Sequence, residues 1–424
     1  MHSKVRKMKK FDRRNFLKSS LVAGISCTIF PSFTAWNKKY PDYSLKLNVA
    51  TKLFDGKQCW THPRAGIIPG SGENGLPKVV MTMNSLDLAG SDVFKGMYGM
   101  ETVNLGHKWT EPKKLENMQP RYEMIKGERR PIAVSDFWPC WHSHSKKMLG
   151  TGHTVAYTKD WKVTNPRPRH TAYSVYDENT GKWNNWQKLQ MPDNMKFYNS
   201  GAGCAQRFDL EDGTILLPIS FRPHGKNSRV TVCRCTFDGE QLNYIEHGSE
   251  LKIDNNTRGL HEPSVTRFQG EFFMTIRNDE KGFVARSKDG LHFEKYIPWK
   301  FDDGAELGSY NTQQHWVTHS EALFLVYTRR GADNNHVFRH RAPLFMAQVD
   351  PENLCVIRET ETILVPERGA RLGNFGVTDI SPDETWVTVS EWMQPEGVEK
   401  YGSDGSVFVA GIQWKTPNNY FQKD

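Results

Sequence analysis

Six short segments concentrate the residues whose types could do chemistry. They read Cys59-Trp60-Thr61-His62-Pro63-Arg64-Ala65-Gly66, Trp141-His142-Ser143-His144, Ser200-Gly201-Ala202-Gly203-Cys204-Ala205-Gln206-Arg207, Arg258-Gly259-Leu260-His261-Glu262-Pro263-Ser264, Tyr310-Asn311-Thr312-Gln313-Gln314-His315-Trp316 and Gly373-Asn374-Phe375-Gly376. Together their side chains suit recognition of a sugar acid. Arginine grips a carboxylate in two-pronged fashion, amides address hydroxyls, and an indole stacks on a ring face. The candidate binding residues are Arg64, His142, Arg258, Glu262, Gln314, His315, Arg330 and Arg341, with His62 and His144 as candidate catalytic residues.

Each has a structural alternative. His62 and Arg64 would equally serve as hydrogen-bond partners between neighbouring sheets. His142 and His144, two apart, share one face of a strand, as metal or substrate ligands or as satisfied structural histidines. Glu262 reads as a catalytic carboxylate or as a structural acceptor. Arg329-Arg330 and Arg339-His340-Arg341 read as a cationic rim or as solvated charge. Gly201 and Gly203 permit a tight turn more readily than they cradle a phosphate.

Retaining or inverting hydrolysis of a glycoside needs two carboxyl groups flanking the bond. Only the Glu262 segment carries an acid. β-Elimination from a uronic acid fits these residue types better. Arginine or a cation neutralises the carboxylate, which makes the proton on carbon 5 removable. A histidine of near-neutral pKa takes that proton, and a second acid protonates the departing oxygen on carbon 4. On this reading His62 and His144 are the acid–base pair, Arg64, Arg330 and Arg341 neutralise the carboxylate, and Gln314 and His315 hold hydroxyls.

The elements that must position these residues are strands. Past residue 45, runs such as Val79-Val80-Met81-Thr82-Met83, Thr214-Ile215-Leu216-Leu217-Pro218, Glu271-Phe272-Phe273-Met274-Thr275-Ile276 and Ala322-Leu323-Phe324-Leu325-Val326-Tyr327 are rich in β-branched and aromatic residues. Asp212-Gly213, Asp238-Gly239 and Asp289-Gly290 supply turns between them. A polar segment, an inner strand, a turn and a strongly apolar second strand recur from Arg64, His142, Cys204, His261, Gln314 and Phe375. These starts lie roughly fifty to eighty residues apart, the scale of a four-stranded propeller blade. The expectation is an all-β chain forming a single β-propeller, with six units counted and the wide first gap leaving room for a seventh. A two-domain β-sandwich is the structural alternative. In a propeller, ligands bind where the innermost strands begin, so the polar segments face a central funnel.

Length and composition agree with a large globular protein. The chain has 424 residues, 37% hydrophobic, 12% aromatic and 25% charged, which excludes disorder and collagen-like repeats. Beyond the N-terminus no apolar run reaches the about 18 residues of a membrane span. Lys4, Arg6, Lys7, Lys9, Lys10, Arg13, Arg14 and Lys18 precede the apolar stretch Leu21–Phe30, the grammar of an export leader. Asp12-Arg13-Arg14-Asn15-Phe16-Leu17-Lys18 resembles a twin-arginine signal, so residues 1–35 are expected to direct export to the periplasm and residues 36–424 to form the propeller. A lipid anchor at Cys27 is disfavoured by Gly24. The leader's eight basic residues oppose one acid, Asp12, so nearly all of the formal charge of +8 belongs to it, and nucleic acid loses its support as a partner. The remaining six cysteines, Cys59, Cys140, Cys204, Cys233, Cys235 and Cys355, are too sparse for a disulfide scaffold and read as buried small residues.

At several of these motifs the chain resembles a known group. Cys59–Gly66, Trp138-Pro139-Cys140-Trp141-His142-Ser143-His144, Gly259–Ser264 and Gly373-Asn374-Phe375-Gly376-Val377-Thr378-Asp379 are similar to segments of the propellers of glycoside hydrolase family 145 and polysaccharide lyase family 42. The likeness runs from about residue 45 to 415. It implies seven blades, the number favoured here over the six counted, and exo-action on L-rhamnose α-1,4-linked to D-glucuronate, the cap of arabinogalactan side chains, by a lyase or by an α-L-rhamnosidase. The hydrolase depends on a lone histidine on the opposite face. Gln58, the counterpart in this chain, favours the lyase. For some members the resemblance implies a calcium ion in the funnel, near His144 here, although calcium prefers oxygen ligands. Ser287-Lys288-Asp289-Gly290-Leu291-His292-Phe293 resembles a shortened Asp-box, the blade turn of sialidase-like propellers. A sialidase would need a tyrosine nucleophile, an aspartate, three arginines and a Phe/Tyr-Arg-Ile-Pro opening, and that opening is absent. A catalytically silent glycan-binding propeller is the alternative from a different class.

Overall fold

The second strand of each repeat is apolar at nearly every position, which sets the architecture. Such a strand cannot leave one face in water and must be covered on both sides. The computed structural model, which describes residues 41–421 other than 91, 166 and 194, covers it by stacking sheet on sheet around an axis. Leu216 packs toward Val265, Phe272 and Ile276, while its neighbours Ile215 and Leu217 pack toward Leu149, Tyr173 and Val175 on the opposite side. Cys233 and Cys235 share one of these faces, both fully buried, as their spacing predicts. A Leu217→Ala substitution would open a void between two sheets, a change that costs about 2–5 kcal/mol.

Six antiparallel sheets follow one another in chain order and close into a ring, a six-bladed β-propeller. The innermost strands of the first and second blades are Gln58–Ile68 and Glu128–His142. In the third, the short pieces Ser200–Gly201 and Phe208–Asp209 pair with the same neighbour. His261–Phe268, His315–His319 and Gly376–Ser381 are innermost in the fourth, fifth and sixth. The N-terminal strand Tyr43–Lys52 pairs with Ser406–Trp414 and supplies the outer strand of the sixth blade, so the two ends of the chain lock the ring. The propeller has the six units counted along the sequence, not the seven that the family resemblance implied.

Asp289 accepts the backbone N–H of Leu291 at 2.9 Å and of His292 at 2.8 Å, so the Asp-box-like segment is a turn after a third strand. Asp177, Asp238 and Asp350 cap the corresponding turns of three other blades, each accepting the N–H two residues on. Among the described residues no helix is long and apolar enough to cross a membrane. The export leader and Cys27 fall on residues 1–40, outside those described.

Candidate functional site

The same distortion recurs at the inner edge of five of the six blades, in or next to the innermost strand. His62, Asp136, Cys204, Glu262 and Asn374 all have positive φ, between 45° and 62°. In three of these blades the ladder slips across the residue, between Thr61 and Arg64, Ser135 and Trp138, and His261 and Ser264. For residues with a Cβ this left-handed backbone costs of order 1–3 kcal/mol, and such outliers gather at functional sites. The bulge presents the distorted residue at one mouth of the central tunnel and turns the residue two positions on inward.

The inward set forms a plug. Arg64 lies 5.2 Å over Trp138, whose ring meets His315 at 4.8 Å, and His315 in turn meets Phe375 at 5.0 Å. Arg64 donates to Asp136 at 3.1 Å and to the Phe375 carbonyl at 3.3 Å. His315 bonds Ser264 at 2.8 Å through Nδ1. Arg64 and His315 therefore separate two cavities and line neither.

Above the plug, His62, Asp136, Glu262 and Asn374 line a cavity of about 890 Å³. Gln313, oriented to satisfy its neighbours, donates to Asn374 Oδ1 at 3.1 Å. Asn374 Nδ2 donates to His62 Nε2 at 2.6 Å and to Asp136 at 3.3 Å. The His62 proton then sits on Nδ1, 3.2 Å from Ser135 Oγ, and both ring nitrogens are engaged. Burial keeps His62 neutral against the pull of Asp136. Burial would raise Asp136, but the charges around it, Arg64 foremost among the permanent ones, hold it well below the usual carboxylate range. His153 abuts the glycine pair of the third blade. A Cβ at Gly203 would lie 1.8 Å from its Nδ1, so Gly203 permits this close approach.

Arginine dominates the wall of this mouth. Arg167, Arg169 and Arg222 come from the second and third blades, Arg258 and Arg277 from the fourth, and Arg339, Arg341 and Arg371 from the fifth and sixth. Arg277 pairs with Glu262, and Arg258 grips Asp279 at 2.5 and 2.9 Å. The others lack carboxylate partners of that kind, and the Nε atoms of Arg167, Arg169, Arg277, Arg341 and Arg371 are buried without an acceptor. Burial and then Arg167 bring Arg169 down to about 10, and burial and then Arg339 do the same to Arg371. Burial, followed by Arg277, Arg371 and Arg339, lowers Arg341 strongly. His261 also lines the mouth. Burial, then Arg277, Arg258 and Arg169, holds it neutral, and its Nε2 has no partner. A crowd of cations with orphaned donors is a site for an anion.

Of the residues expected from the sequence, His62, Arg258, Glu262 and Arg341 meet at this mouth. His142 and His144 do not. The unit start read at His142 is the end of an inner strand that begins at Glu128, and the matching position is Asp136. His142 is buried and bonded to Ser145 at 2.8 Å and to the Gly213 carbonyl at 3.0 Å, while His144 is exposed on the following turn. The paired roles expected for His62 and His144 are thus not brought together. Gln314 is buried within the fourth–fifth blade junction, bonded to Thr275 and Ser309, away from hydroxyl-binding distance of the mouth. Arg330 lies outside the lining, donating to the Glu280 carbonyl and stacked 4.3 Å over Tyr310. Asp136, His153, Arg167, Arg169, Arg277 and Arg371 are added by the structure. Only Asp136 had a local signal, a lone acid inside the apolar run Ala133-Val134-Ser135-Asp136-Phe137-Trp138.

A calcium ion in the funnel would compete with ion pairs already made there. Among the described residues no three His, Cys, Asp or Glu side chains converge on a metal position, and Asp136 and Glu262 already answer Arg64 and Arg277. None of the six remaining cysteines forms a disulfide among the described residues, and five are buried.

A second cavity of about 640 Å³ opens below the plug, at the C-terminal ends of the inner strands. Trp138, Trp141 and Trp316 line it together with Arg207, Asp209 and Asp379. Burial pushes Asp379 up to about 6, against a 2.7 Å hydrogen bond from Thr385.

No protein-family model matches the sequence, and no curated protein matches it significantly. Among solved structures, the chain is similar to a protein of unknown function from Dyadobacter fermentans, at 12% identity and TM-score 0.58 over 88% of this chain and 99% of that one. It is similar to Trypanosoma rangeli sialidase at 12% identity and TM-score 0.53, covering 84% of this chain and 55% of the sialidase. The NanB sialidase from Streptococcus pneumoniae matches at 11% identity and TM-score 0.56, over 86% and 70% of the two chains. This chain thus spans little more than half of the trypanosomal sialidase. These likenesses bear on the fold alone, a β-propeller like that of the sialidases.

Proposed function

We propose that this chain is a carbohydrate-active enzyme that takes an acidic sugar into the arginine-lined mouth and cleaves its glycan by β-elimination. The observation that carries the reading is the surplus of buried guanidinium donors around a neutral histidine. Retaining or inverting hydrolysis would need a free carboxylate pair, whereas Asp136 and Glu262 are both tied to arginine. Sialidase-like propellers among its structural neighbours agree with a glycan substrate.

In this mechanism Arg341 and Arg371 bind the uronate carboxylate and stabilise the negative charge that develops on it. His261 takes the proton from carbon 5. The electrons of that bond form the double bond between carbons 4 and 5, the bond from carbon 4 to its oxygen breaks, and the leaving oxygen is protonated. Tyr198 lines the same mouth, and burial keeps its hydroxyl protonated, which suits it to that last role. Leu88, Phe94 and Trp392 give one side of the mouth an apolar wall, as the methyl group of a deoxysugar requires. The substrate we favour is L-rhamnose α-1,4-linked to D-glucuronate in arabinogalactan-type glycans, met in the periplasm after export by the basic leader.

The test is incubation with rhamnose-capped arabinogalactan while free rhamnose and the ultraviolet absorbance of an unsaturated uronate are followed together. Elimination yields both. Rhamnose without the absorbance identifies an α-L-rhamnosidase instead, and saturable binding with neither product identifies a glycan-binding propeller.

A further inference from the structure

We propose that the arginine-lined mouth holds two anionic groups at once, so that its substrate is a dianionic glycan segment, a uronate whose neighbouring sugar carries a second carboxylate or a sulfate ester. This rests on the reading above that the mouth takes an acidic sugar, and it adds that the rhamnose cap or the sugar on the other side of the uronate bears the second anion.

The guanidinium groups that lack a carboxylate partner fall into two sets. Arg167 and Arg169 of the second blade and Arg222 of the third form one, and Arg339, Arg341 and Arg371 of the fifth and sixth form the other. In a ring of six blades, the second and third stand across the axis from the fifth and sixth. The arginines of the fourth blade, between the sets, are already paired as Arg258–Asp279 and Arg277–Glu262. Arg341 and Arg371 are only 3% and 6% exposed, and each has a buried Nε with no acceptor, as do Arg167 and Arg169 across the mouth.

The acids of the mouth do not neutralise both sets. Glu262 attracts Arg169 and Arg341 but is paired with Arg277, Asp136 is bound to Arg64 from below, Asp92 faces Arg339 and Arg371, and Glu396 is exposed at the rim. Like charges crowd Arg169 from Arg167 on one side, and on the other crowd Arg371 from Arg339 and Arg341 from Arg277, Arg371 and Arg339. One carboxylate offers about four lone-pair positions on a single small group. Bound to either set, it leaves the other set's buried donors unpaired, which is costly. The cavity of about 890 Å³ has room for more than one sugar, since clefts of about 300–1,000 Å³ enclose ligands of drug size. Two anions, one against each set, satisfy both.

Calorimetric titration of the whole chain with three probes tests this: a simple monouronide, a diuronide, and a monouronide whose neighbouring sugar bears a sulfate ester. One or both dianions should bind about tenfold or more tightly than the monouronide, the scale of one charge-assisted hydrogen bond, and with a steeper loss of affinity in salt. Which dianion binds best names the second anion. In Arg169→Gln and in Arg222→Gln the advantage of the dianion over the monouronide should collapse toward one. Arg222 is exposed, so that variant carries the test if Arg169→Gln fails to fold. Equal affinity for mono- and dianions, or an advantage that survives both substitutions, overturns the proposal. Because the readout is binding, a preferred dianion without an unsaturated product removes the elimination and leaves this inference standing. An unsaturated product without dianion preference does the reverse.

Discussion

The two mouths of the tunnel hold the same residue type in opposite states. At the lower mouth Arg207 donates to Asp209 at 2.9 and 3.0 Å, to the Leu149 carbonyl at 2.8 Å and to the Cys140 carbonyl at 3.2 Å, so each of its three guanidinium nitrogens is engaged. At the upper mouth Arg341 donates to the Asn311 carbonyl and leaves its Nε buried and empty-handed. Both side chains are almost wholly buried. An arginine saturated by its own protein is part of the framework, whereas one left unsaturated, among others of like charge, is built for something that arrives later.

That contrast has measurable consequences. The largest effect is expected below. Arg207→Gln should destabilise the fold by about 3–5 kcal/mol in denaturant titration, because it removes the buried guanidinium that holds the half-buried Asp209 and two backbone carbonyls, while turnover per folded molecule stays unchanged. Above, Arg341→Gln should cut turnover of an acidic glycan by about 100-fold yet shift stability by less than about 1 kcal/mol, since it breaks one internal hydrogen bond and relieves like-charge crowding. Equal stability losses at the two positions would erase the distinction.

The mouths should also differ in the sign of their pH response. His153 and His261 at the upper mouth are held neutral by burial, below the pKa near 6.5 of the unfolded chain. Above about pH 6.5 both states are neutral and nothing is lost. As pH falls below that value the unfolded chain takes protons that the folded one refuses, so stability should drop by up to about 1.4 kcal/mol per group per pH unit in urea titrations. His261→Gln should remove its share. Asp379, raised to about 6 by burial, does the reverse, since above that pH the folded state carries a charge it disfavours. Asp379→Asn should stabilise the protein by about 1–3 kcal/mol near neutrality, with the gain vanishing below about pH 4. The smallest change is expected at Arg258→Gln, whose exposed pair with Asp279 is worth no more than about 1 kcal/mol to stability.

Much of the propeller was legible along the chain because its signal is local. Strands buried on both faces read as continuous apolar runs, and aspartates at turns read as strand ends, so the count of six units stands against the seven of the family resemblance. His142 shows where that reading slips. Trp138-Pro139-Cys140-Trp141-His142 looks like the polar opening of a unit, yet it closes an inner strand of fifteen residues. Strand direction and length place His142 and His62 at opposite ends of the tunnel, and neither quantity is visible in residue types.

The sequence by itself determined the class of fold and the presence of His62, Glu262 and the Arg339-His340-Arg341 rim, because these depend on patterns within a few residues, while the choice of six blades over seven came from the closed ring. Tertiary structure decided which arginines matter. Arg167 and Arg169 lie in a connection of the second blade and Arg371 in the approach to the sixth, some two hundred residues apart in the chain, and only closure of the ring by Tyr43–Lys52 against Ser406–Trp414 sets them around one cavity. Whether a guanidinium is satisfied depends on every acceptor within about 3 Å of it, and in a propeller those acceptors come from other blades.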